Sequence, residues 1–296
     1  MHAAAGSCAA DGQAPAPGGV AQSAAALHDE KGYNRRAMNR RTLLGGLGSG
    51  AAFAGLAPAQ TAARKTACYL QHNYFLKNGT QPTRLAEYLG KTWLPAVKKM
   101  HAGPVLVLEA LIAAHLPQVS VITGYASVEE LWSLRARLAA DKALEAATTA
   151  WEKGAEPPYE FESSNLLEAA PFSPEIVPLN PAPKAPRVFE LRVYHSPTSW
   201  QQRGLLERFA TDEARILARC GAQPVFFTSG MIGADTPNVT WMTAFEDMIA
   251  REKSFAAFSA DPEWIKVRSA STAKYGESAA VRKITQYKAA VYSPVV

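Results

Sequence analysis

Residues 66–175 and 186–295 repeat each other at a constant offset of 120 positions. Tyr74 falls against Tyr194, Gln81 against Gln201, Glu87 against Glu207 and Pro104-Val105 against Pro224-Val225. Ile112 and Ile232, Pro117 and Pro237, Val119 and Val239, Thr123 and Thr243, then Ala140-Asp141 and Ala260-Asp261 keep the same offset. Chance identities do not hold their order over such a length without an insertion. The chain therefore has to fold as two copies of one module. Residues 176–185, with Pro178, Pro181 and Pro183, read as the linker between them.

Each copy carries the same pattern. In the second, Val188 to Tyr194 alternates apolar and polar residues, the period of a strand. Leu205, Phe209, Ile216 and Leu217 follow at near-helical spacing. Val225 to Thr228 and Val239 to Phe245 are two further strands around a turn at Gly230 and Gly233. Met248, Phe255 and Phe258 mark a second helix that Asp261-Pro262 ends or kinks. Ile284 to Tyr292 is the last strand. The order β-α-β-β-α-β is a ferredoxin-like unit, so the fold class is α+β. One such unit leaves one sheet face bare. Two tandem units that cover each other's bare faces give a dimeric-type α+β barrel, with helices outside and a central cavity.

The first 63 residues read differently. Residues 1–37 are rich in Ala, Gly, Pro and Ser and have no apolar period, the composition of a disordered stretch. From Met38 the paired arginines Arg40 and Arg41 precede a weakly apolar run, Leu43 to Leu56, and the small residues Ala57-Pro58-Ala59. This is the layout of a twin-arginine (Tat) export signal over residues 38–63, cleaved after Ala59 or Ala63. It makes Met38 the expected start and the periplasm or the exterior the expected destination. The 31 Lys and Arg against 26 Asp and Glu form no basic stripe, which speaks against a nucleic-acid binder. No run after the leader has the length and flanks of a membrane span. Three cysteines cannot make a disulfide framework. Cys68 and Cys220 are expected as two free, buried thiols.

The second copy resembles the NIPSNAP family. The resemblance rests on Val188-Phe189-Glu190-Leu191-Arg192-Val193-Tyr194, the Gly230 to Gly233 turn, and Val239-Thr240-Trp241. Glu246, Arg251-Glu252 and Asp261-Pro262-Glu263-Trp264 complete it. The first copy departs from the pattern, with Leu70, His72, Leu131 and Leu144 in the places of Glu190, Arg192, Arg251 and Trp264. The resemblance implies the α+β barrel fold and no settled reaction. Small monooxygenases and haem-degrading enzymes share that fold by analogy only. Related folds also associate through their sheets, so a homo-oligomer or a structural assembly module is among the expectations.

Strand alternation sorts the candidate site. Phe189, Leu191 and Val193 are expected to face the helices. Glu190, Arg192 and Tyr194 then face the barrel interior, joined by His72 and Tyr74 from the first copy. Trp241 is core or a cavity wall. A Glu–Arg pair can hold a polar ligand, and Tyr and His can pass protons. The same residues can equally bond one another and pin the two sheets in register. Arg251 needs a buried carboxylate as partner, and Trp264 reads as a core plug. His72, His101, His115 and His195 form no H-x-x-x-H pair, so no metal is expected, and no cofactor motif follows a strand. The function read from the residues is an exported small-ligand-binding or non-catalytic barrel. The alternative is a cofactor-independent monooxygenase- or isomerase-like enzyme working inside the barrel.

Overall fold

The structure is a computed structural model that describes residues 65–179 and 182–295. The stretches read as a disordered start (1–37) and an export signal (38–63) lie outside the described residues. In the first half, β1 (Cys68–Phe75) leads to α1 (Gln81–Tyr88), a π-helical turn (Leu89–Trp93) and α2 (Leu94–Met100). The hairpin β2 (Val105–Ile112) and β3 (Gln118–Tyr125) follows, then α3 (Val128–Ala140), α4 (Lys142–Glu152) and β4 (Phe161–Ala169). The second half repeats this as β5 (Val188–His195), α5 (Ser199–Arg208), a π-helical turn (Phe209–Glu213) and α6 (Ala214–Arg219). β6 (Gln223–Ile232), β7 (Asn238–Phe245), α7 (Met248–Ala260), α8 (Pro262–Tyr275) and β8 (Val281–Ala289) complete it. With α1, the π-helical turn and α2 counted as one continuous helix, and α5 to α6 likewise, each half has one more helix than the sequence pattern suggests. Asp141 and Asp261 do not merely kink a helix. Each ends one helix and caps the next, Asp261 Oδ1 accepting from the Trp264 amide at 3.0 Å. Pro262 then occupies the first turn, where its missing N–H costs nothing.

The eight strands close into one antiparallel barrel in the order β1-β3-β2-β8-β5-β7-β6-β4. Each half contributes four neighbouring strands. The two four-stranded sheets join edge to edge, β2 to β8 and β4 to β6, with a register irregularity at each seam. No strand edge is left open, and the barrel closes within a single chain. An eight-stranded barrel can be filled by side chains or hold one small ligand, and here side chains fill it. Tyr69, Leu106, Leu108, Ile122, Leu167, Phe189, Leu191, Phe226, Met242 and Tyr287 pack together there. Polar groups join them in pairs. Ser120 Oγ donates to Asn73 Oδ1 at 2.6 Å and accepts from the Tyr287 hydroxyl at 3.0 Å. The axis is therefore occupied by side chains where a central cavity was expected.

The strand faces are the reverse of the expectation. Phe189 and Leu191 point into the barrel, opposite Ala244 and Met242 on β7. Glu190, Arg192 and Tyr194 point outward, beneath the helices of the second half. There Tyr194 and Trp241 pack with Leu205, Phe209, Ile216, Phe258 and Trp264. His72 and Tyr74 also point outward, but in the first half, where Tyr74 packs beside Leu85, Leu89, Val97 and Val107. The physical reason is charge. The interior offers Glu190 no cation, whereas α7 carries Arg251 over the outer face of β5. Cys68 and Cys220 are free thiols, but only Cys68 is buried; Cys220 is half-exposed.

Candidate functional site

Glu190 is fully buried, and its carboxylate is bonded on both oxygens. Arg192 Nε donates to Oε1 at 2.5 Å, and Arg251 Nε donates to Oε2 at 2.7 Å. Gln286 Nε2 on the neighbouring β8 donates to Oε2 at 3.1 Å. Burial pushes the Glu190 carboxyl up, but the Arg251 bond, the Arg192 charge and the Gln286 bond together outweigh it and hold the group below its ordinary value. Arg192 is held in turn. Its Nη1 donates to the Tyr194 hydroxyl at 2.8 Å, and its guanidinium lies 3.9 Å from the Phe255 ring centre and 5.4 Å from that of Trp241. Arg251 and Phe255 stand four residues apart on α7, so one helix face supplies both the ion partner and the ring.

A second ion pair lies beside the first. Arg208 Nε donates to Glu213 Oε2 at 2.7 Å, and both residues are buried. Positions five apart diverge on an α-helix. They come together here because the π-helical turn Phe209–Glu213 separates them, and its i to i+5 repeat aligns them. Burial pushes the Glu213 carboxyl up more than Arg208 pulls it down. The Arg208 guanidinium also stands 5.2 Å from the Trp264 ring centre.

Between these pairs, β8 and α8 lies a cleft of about 250 Å³. Arg192 and Tyr194 form its floor, with Arg208 and Glu213 on one side. Phe255, Phe258 and Trp264 are its apolar wall, and Arg268, Thr272 and Arg282 line its mouth. Trp264, Arg268 and Thr272 share one face of α8 at intervals of four. Arg282 extends over the Tyr194 ring at 5.7 Å. Glu190 and Trp241 sit beneath Arg192 and do not line the cleft. A wider groove of about 400 Å³ between α5 and α8 shares Arg208. Three of its polar groups are bound to one another, since Lys274 and Tyr275 both bond Glu207.

The six residues singled out from the sequence thus divide. Arg192 and Tyr194 reach the cleft, Glu190 and Trp241 support it, and His72 and Tyr74 belong to the other half. There the equivalent hollow is filled. Tyr88, at the place of Arg208, stacks on Trp151 at 4.1 Å and 4°. Tyr159, at the place of Ala279, packs on Tyr74 at 5.5 Å. His72 bonds Ser164 Oγ at 2.8 Å and Glu162 Oε2 at 3.1 Å; burial lowers its pKa, and Glu162 offsets part of that. Arg208, Glu213, Arg268 and Arg282 were not singled out from the sequence. Their 120-residue counterparts are Tyr88, Trp93, Thr148 and Glu162, and comparing the two copies charge by charge would have found them.

The family model of NIPSNAP matches residues 189–292. Residues 189–292 are a NIPSNAP domain. That span contains every residue lining the cleft. No curated protein matches the chain. Among solved structures, an anthrone oxidase-like protein is similar at 12% identity and a TM-score of 0.50, covering 76% of this chain and 92% of its own. This likeness is one of fold. A NIPSNAP family protein with unknown function from Agrobacterium tumefaciens is 20% identical, with a TM-score of 0.33, and covers 37% of this chain and 94% of its own. A NIPSNAP domain protein from Burkholderia xenovorans is 23% identical over 36% of this chain and 99% of its own, with a TM-score of 0.31. Among the described residues no helix is long and apolar enough to cross a membrane, and no group of three His, Cys, Asp or Glu could hold a metal ion.

Proposed function

We propose that this chain is an exported small-molecule-binding protein with one binding site, in its NIPSNAP domain, and a first half that is structural. The observation that carries the reading is the cleft of about 250 Å³ over Arg192 and Tyr194, set against aromatic packing at the same place in the first half. That volume corresponds to roughly eight water molecules. The lining combines an apolar wall with a few convergent polar groups, the usual make-up of a ligand site. Ala279→Tyr copies Tyr159 into the NIPSNAP domain and should close the cleft while leaving the fold intact. Native mass spectrometry of protein purified from its own host should find one small molecule on the wild type and none on Ala279→Tyr. Equal loading of both proteins, or no molecule on the wild type, would refute the reading.

Export is proposed on Arg40, Arg41 and the apolar run that follows them. Replacing both arginines by Lys should leave precursor in the cytoplasm, and unchanged secretion would overturn it. One observation favours an enzyme. Glu213 is a buried carboxyl on the cleft whose pKa burial has raised, as a general acid or base requires. On that reading Glu213→Gln retains ligand binding and loses turnover of the molecule identified above.

A further inference from the structure

We infer that the ligand of this cleft is a small organic anion, a carboxylate on an apolar ring or chain, with Arg268 as its charge-reading residue. The inference rests on the binding reading above and names the chemistry of that same site. The charge inventory of the lining leads to it. Four guanidinium groups face the cleft, those of Arg192, Arg208, Arg268 and Arg282, against two carboxyls, Glu213 and Glu277. Both carboxyls are engaged, Glu213 by Arg208 at 2.7 Å and Glu277 by Arg282 at 3.4 Å. Arg192 is balanced from below by Glu190 through its Nε. Arg268 has no ion pair among the described residues.

An anion gains the attraction of the Arg268 guanidinium, a neutral ligand gains nothing from that charge, and a cation is repelled by it. A carboxylate can accept two parallel N–H bonds from one guanidinium. Thr272 stands one turn further along the same face of α8 and offers a hydroxyl beside Arg268. The remainder of the ligand meets Phe255 and Phe258, whose rings set a preference for an apolar body. The first half lacks both elements, with Thr148 in place of Arg268 and Tyr159 in place of Ala279.

The test compares two probes of one shape, benzoate and its neutral amide, benzamide, by titration calorimetry on the full chain. Benzoate should bind with a stoichiometry of about one and at least about tenfold more tightly than benzamide. Arg268→Gln should weaken benzoate about tenfold and leave benzamide unchanged. Arg268 is exposed on α8, so the variant should keep the melting temperature of the wild type. Benzamide binding as tightly as benzoate, or an unchanged benzoate affinity in Arg268→Gln, would overturn the anion assignment and leave the cleft itself standing. Binding of neither probe would also overturn it. The cleft reading is then decided separately, by the co-purified molecule and Ala279→Tyr.

Discussion

Glu190→Gln replaces a carboxylate by an amide of nearly the same shape and so isolates charge from packing. In the wild type this one carboxylate stands between two guanidinium groups, at 2.5 Å from Arg192 Nε and 2.7 Å from Arg251 Nε. The amide can accept from only one of them, and its NH₂ then faces a donor. Breaking a buried ion pair costs about 3–5 kcal/mol. Arg192 and Arg251 are 12% and 15% exposed, so some water reaches them, and Arg251 keeps Glu252. The lower end, about 3 kcal/mol, therefore applies. For a unit the size of residues 65–295 that is a fall of roughly 6–12 °C in melting temperature at pH 7. The pH dependence checks the cause. Glu190 is held below its ordinary pKa of 4.5, so the unfolded chain takes up its proton first on acidification. The stability it supplies is complete above that value and drains away as pH falls through the folded value. The gap between the two proteins, measured by scanning calorimetry from pH 7 to pH 3, should close toward the acid end. A variant melting within 2 °C of wild type at pH 7, or a gap that does not narrow, would refute the reasoning.

Two further perturbations follow from neighbouring geometry. Arg208→Met removes the partner of buried Glu213, whose raised pKa rises further without it; the native variant then holds a proton that the unfolded chain has lost. Its stability deficit should therefore widen as pH rises from 5 to 8, and a deficit constant across that range would contradict the assignment. Gly204→Ala places a methyl 2.3–2.7 Å from three ring carbons of Tyr275, so α5 and α8 must part. Overpacking of about 1–3 kcal/mol should outweigh the roughly 1 kcal/mol gain in helix propensity, and a raised melting temperature would show that the contact yields.

Much of the architecture is written in the order of the residues. The 120-residue offset, the alternation on β5 and the Asp261-Pro262 break can be read from residue order, and β-α-β-β-α-β leaves few ways to arrange four strands. Alternation also showed that Glu190, Arg192 and Tyr194 share one face of β5, and that they would be buried together. It could not show which face, because both sides of this sheet are dry: Phe189 packs inside the barrel and Trp241 packs under the helices. That choice was made at a distance, by Arg251 on α7, 61 residues from Glu190. The cleft was hidden for a related reason. Arg208 and Glu213 meet only because a π-helical turn replaces an α-helical one between them, and no residue pattern announces that turn. Arg268 and Arg282 converge only when α8 folds over β8. Local chemistry sets period and partners in kind. The side of the sheet, and which charges end up facing a shared hollow, depend on the packing of elements far apart in the chain.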